Sequence, residues 1–82
     1  MDSEALSASY EATAGRHADI AERLHALVVA LLSAVMNGRG VEVDPELIRI
    51  VEHYRDFHRA CATRHAAWAA HAREQSQKDS NA

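Results

Sequence analysis

His58-x-x-Cys61-x-x-x-His65 sets two imidazoles and the only thiol of the chain at i, i+3 and i+7, which is one face of a helix. Neutral imidazole and thiolate are the usual ligands of zinc, and imidazoles on facing helices also suit copper, other transition metals or, less readily, haem. His58 and His65 would stand about 10 Å apart along a helix, too far to share one ion without distortion. A compact site therefore draws on His17, Cys61 and His65, with His58 in reserve and water or a symmetry mate as the fourth ligand. The competing reading makes the same side chains half-buried packers of a helix pair, the imidazoles hydrogen-bonded across the interface and Cys61 a small apolar filler. That reading carries more weight, because the spacing matches no zinc-finger pattern, so no cofactor is the leading expectation. It too has a consequence: imidazoles with an ordinary pKa of about 6.5 would charge in mild acid and loosen the seam.

The other chemical candidates are weaker. Glu22-x-x-His25 has the spacing used in carboxylate-bridged di-iron bundles, but no carboxylate falls at a core position to complete such a centre. Cys61 has histidines one turn away, yet no glycine-rich loop or oxyanion donor accompanies it, so an enzyme is not expected. Tyr54 and Trp68 fit a helical core better than a ligand-stacking role. Arg49, Arg55, Arg59, Arg64 and Arg73 give the second half of the chain a moderately basic outer surface.

These side chains must be positioned by very little protein. A chain of 82 residues and 9.0 kDa buries only about 60% of the surface its unfolded form exposes, so its core is marginal. A single cysteine excludes an internal disulfide, which leaves oligomerisation or a metal to supplement it. That cysteine, with an acidic Met1-Asp2-Ser3-Glu4 start and no apolar run after it, suggests a reducing, cytoplasmic setting. The apolar stretch from Ala26 to Met36 is far short of the roughly 20 residues a membrane span needs. A net charge of −3 with interspersed signs lacks the basic stripe of a nucleic-acid binder.

Abundant alanine and a lone proline favour helix throughout, so the expected fold is all-α, an antiparallel two-helix hairpin. The first helix should cover about 3–37, with Asp2 or Ser3 as cap and Glu4 in the first turn. Asn37-Gly38-Arg39-Gly40 marks a turn over 38–43, and Asp44-Pro45-Glu46 starts a second helix over about 45–75. The polar residues 76–82 read as a disordered tail. Four-three spacing gives one seam of Leu6, Tyr10, Thr13, His17, Ile20, Leu24, Leu27, Leu31 and Ala34. Its partner is Leu47, Val51, Tyr54, His58, Cys61, His65, Trp68, Ala72 and Gln75. Folding the two about the turn pairs Leu24 with His58, Ile20 with Cys61, His17 with His65 and Thr13 with Trp68.

Two such helices form a thin rod with no interior. Apolar residues remain outside the seam: His25, Val29, Leu32 and Met36 on the first helix, and Ile48, Ile50 and Phe57 on the second. Their expected role is an interface that pairs two hairpins into a homodimeric four-helix bundle, with docking onto a heterologous protein as the other way to cover them. The function this favours is that of a small non-enzymatic interaction protein, an adaptor, inhibitor or accessory subunit. A transition-metal- or haem-binding bundle for storage, sensing or delivery is its rival.

Overall fold

The computed structural model describes residues 2–38 and 42–80. Two helices make up nearly all of it, α1 over Ser3–Met36 and α2 over Pro45–Ser80, packed against each other as an antiparallel hairpin. Asp2 caps α1, its Oδ1 accepting from the Ala5 amide at 2.7 Å. At the other end the Asn37 amide donates to the Ser33 carbonyl at 2.9 Å, and Gly38 takes a φ of +58°, the left-handed conformation that reverses a chain after a helix. Residues 39–41 of the expected turn lie outside the described residues. Asp44 begins α2 by accepting from the Glu46 amide through its side chain and from the Leu47 amide through its carbonyl, each at 2.9 Å.

The tail expected from residue 76 onward is helical as far as Ser80. Two causes are visible. Ser76 is half-buried, so α2 still touches α1 there, lining a groove with Ser7 and Glu11. Lys78 lies in the last turn, where a cation meets the negative end of the helix dipole. Polarity of sequence is no bar to helix where a neighbour is present to pack against. Residues 81 and 82 lie outside the described residues.

Burial redraws the seam. In heptad notation, the a positions of α1 are Ser7, Ala14, Ala21 and Val28, and the d positions Tyr10, His17, Leu24 and Leu31. On α2 the a positions are Ile48, Arg55, Ala62 and Ala69, and the d positions Val51, His58, His65 and Ala72. All sixteen are buried or half-buried. The d sets are those the spacing predicts; of the alternate positions Cys61 is buried as expected, whereas others are displaced by one residue. Ser7, Ala21 and Val28 are buried where Leu6, Ile20 and Leu27 were expected, and Ala69 where Trp68 was.

The physical reason is backbone distance. Small residues at a let the helices approach closely enough for the Ser7 hydroxyl to reach the Ala69 carbonyl, at 2.9 Å. A seam of Leu6, Ile20, Leu27 and Trp68 would hold the axes further apart. Arg55 enters the seam in place of Tyr54, with its side chain only 14% exposed. Its stem packs inward while its guanidinium leaves toward Asp56 at 3.0 Å, Glu52 at 3.8 Å and the His25 Nδ1 at 3.3 Å.

Candidate interaction surface

Histidines of the two helices lie together in the seam. His17 sits between His58 and His65, with ring centroids 5.1 and 5.3 Å away. The Nδ1 atoms of His17 and His58 are 2.8 Å apart, so one proton lies between them and one ring accepts. His65 donates its Nδ1–H to the Cys61 carbonyl at 2.8 Å, one turn back along α2. Among the described residues no three His, Cys, Asp or Glu side chains converge on one point, His17, Cys61, His65 and His58 included. The Nδ1 atoms of all three rings are engaged, two with each other and one with the backbone. Burial lowers the His17 pKa below its ordinary 6.5, and the nearby His58, His65 and Arg16 lower it further.

These imidazoles belong to a longer row of rings. Tyr10 lies 5.5 Å from Trp68 and 6.2 Å from His65, Trp68 lies 4.9 Å from His65, and Phe57 lies 5.3 Å from His58 at the other end. The row follows the d positions and spills onto one flank of the hairpin.

In an antiparallel helix pair the g positions of both helices share one flank and the e positions share the other. Here the two flanks differ in chemistry. On the e flank Glu11 pairs with Arg73, His25 meets Arg55, and a groove runs between Glu22, Ala18, Arg59 and Thr63. On the g flank α1 shows Leu6, Thr13, Ile20 and Leu27, and α2 shows Leu47, Tyr54, Cys61 and Trp68. Cys61 is buried there, whereas Leu27 is 45%, Tyr54 54% and Trp68 44% exposed. Phe57 and Ile50 lie beside this strip on the outer side of α2 and are exposed as well. At its open end the strip dips into a groove between Leu6, Tyr10, Trp68 and His71.

The surface residues singled out from sequence therefore divide between places. Ile48 is half-buried in the seam and is not surplus. Ile50 and Phe57 adjoin the apolar g flank. His25 and Leu32 occupy e positions, and Val29 and the 84% exposed Met36 lie further round on that side of α1. They form no continuous patch with Ile50 and Phe57, because the seam separates them. The residues sequence reasoning missed as surface are Ile20, Leu27, Leu47, Tyr54 and Trp68. A signal for most of them was present: Ala21, Val28, Arg55 and Ala69 directly follow Ile20, Leu27, Tyr54 and Trp68.

The charges around the apolar flank also have a pattern. Arg49, Arg55, Arg59 and Arg73 each pair with a carboxylate. Arg16, Arg23 and Arg64 are exposed, make no ion pair among the described residues, and all occupy c positions bordering the g flank. No protein-family model, curated protein or solved structure matches the chain. No helix among the described residues is long and apolar enough to cross a membrane.

Proposed function

We propose that this protein is a non-enzymatic interaction module, an adaptor, inhibitor or accessory subunit, that works by offering a helical face and that pairs into a homodimeric four-helix bundle. The observation that carries this is an excess of exposed surface. The chain exposes 5995 Å², whereas a compact monomer of 9.0 kDa would expose about 4,850 Å². The excess of about 1,100 Å² is comparable with the roughly 800 Å² each partner buries in a standard protein interface. Much of the surplus is apolar, since Leu27, Leu32, Tyr54, Phe57 and Trp68 are all exposed. Exposed apolar side chains gathered along one flank, as Leu27, Tyr54, Phe57 and Trp68 are, mark interaction surfaces on soluble proteins. The grooves between the described residues are open along the rod.

Sedimentation equilibrium tests the reading. The expected mass is twice 9.0 kDa at micromolar concentration. A folded, monodisperse monomer over that range would refute self-association.

A further inference from the structure

We infer that the surface occupied by a second copy of the chain is the g flank, the two-helix apolar face built on Ile20, Leu27, Leu47, Tyr54 and Trp68, with Phe57 at its edge. This rests on the interaction reading above and adds where the contact lies. Three observations favour it over the turn-end stripe of Val29, Leu32 and Met36. Both helices contribute to the g flank, whereas the e flank of α2 presents Glu52, Arg59 and Arg73. The row of rings from Tyr10 to Phe57 gives the flank a floor that is already packed. Its apolar width reaches past the groove to Phe57, which is 53% exposed, and to Ile50. A single helix laid in the groove would cover the g residues and leave Phe57 and Ile50 in water; a second hairpin covers all of them. The area fits as well, because losing about 800 Å² per copy would bring the exposed surface close to that of a compact chain.

Packing this flank on its own copy brings the borders of Arg16, Arg23 and Arg64 from two chains near one another. Like charges then oppose the contact, and salt screens them. Self-association should therefore strengthen as sodium chloride is raised, the opposite of what an acidic partner on the same flank would show.

Sedimentation equilibrium on three proteins, with helicity checked by circular dichroism, separates the outcomes. The wild type should be dimeric, Leu27→Glu/Phe57→Glu a helical monomer, and Val29→Glu/Leu32→Glu dimeric. A helical wild-type monomer overturns the interaction reading itself. A wild-type dimer abolished by Val29→Glu/Leu32→Glu and kept by Leu27→Glu/Phe57→Glu overturns only the flank assignment. Hydroxyl-radical footprinting of the unaltered protein decides the case in which a variant fails to fold. Oxidation of Tyr54, Phe57 and Trp68 should fall several-fold between the dissociated and associated states while that of Met36 holds. Protection of Met36 with unchanged Phe57 and Trp68 would refute the assignment, as would an association that weakens with salt.

Discussion

Ser7 gives its hydroxyl proton to the Ala69 carbonyl across the seam, a bond that requires the two backbones to lie as close as short side chains permit. A larger residue at this layer must push the helices apart. Ala69→Leu should cost about 1–3 kcal/mol, as overpacked sites do, and Ser7→Ala about 1 kcal/mol for the lost hydrogen bond. Urea unfolding at a fixed protein concentration reads both. An Ala69→Leu variant as stable as the wild type would show that the small-residue seam does not set the helix spacing.

The two described glycines, one inside α1 and one just past its end, should respond in opposite directions. A Cβ built at Gly15 meets nothing within 4 Å, and the site is exposed in a helix interior, so Gly15→Ala should stabilise the protein by about 0.5–1 kcal/mol. Gly38 has equal space but a φ of +58°, and Gly38→Ala should destabilise by about 1–2 kcal/mol. Thermal melts of the pair, against the wild type, check the sign of each.

Stability should fall in mild acid. His17 holds its proton less tightly in the folded chain than its ordinary pKa of 6.5, so the unfolded chain takes up more protons as pH drops. The contribution is complete above about pH 6.5 and is lost as pH falls from there through the lowered folded value. The Nδ1 contact with His58 accommodates one proton, and a second would set two N–H groups against each other. Melting at about pH 7.5 and about pH 5 should show a smaller drop for His17→Leu than for the wild type. An equal drop in both would remove His17 as the source.

Arg55 offers a test of what its stem does apart from its charge. Its ion pairs with Glu52 and Asp56 end on partly exposed carboxylates and should be worth little. Arg55→Met keeps an unbranched stem in the seam and should change stability by less than about 1 kcal/mol. Arg55→Ala should cost more, within the range of about 0.5–3 kcal/mol usual for a lost packed side chain. Urea unfolding of the two variants side by side is the comparison, and equal costs would assign the effect to charge.

Local signals marked the helices well. Asp2, Gly38, Asp44 and Pro45 act at the positions their chemistry suggests. The d residues of both seams were legible too, because His17, Leu24, His58 and His65 stand at heptad spacing whichever neighbour completes the stripe. What the sequence left ambiguous was a rotation of one residue. An apolar stripe three positions wide fits a seam of Ile20 and Leu27 or one of Ala21 and Val28 equally well, and hydrophobicity alone prefers the larger pair. Close helix approach prefers the smaller, and that is a property of two surfaces together. The same rotation puts Trp68 and Tyr54 on the surface, where hydrophobicity alone would place them inside. Helix over Ser76 to Ser80 is likewise hidden in a polar sequence, since it depends on α1 lying alongside.

The slenderness of the hairpin bears on how it behaves in any size-based measurement. It extends 65 × 16 × 15 Å, with a radius of gyration of 18.5 Å. A compact chain of 82 residues would have a radius near 12 Å, and a value of 18.5 Å would suit a compact chain of about 270 residues. On a gel-filtration column calibrated with globular standards, one hairpin alone would elute ahead of its true mass and imitate an oligomer. Elution volume is thus a poor witness to the number of chains, and a shape-independent mass is the quantity to weigh.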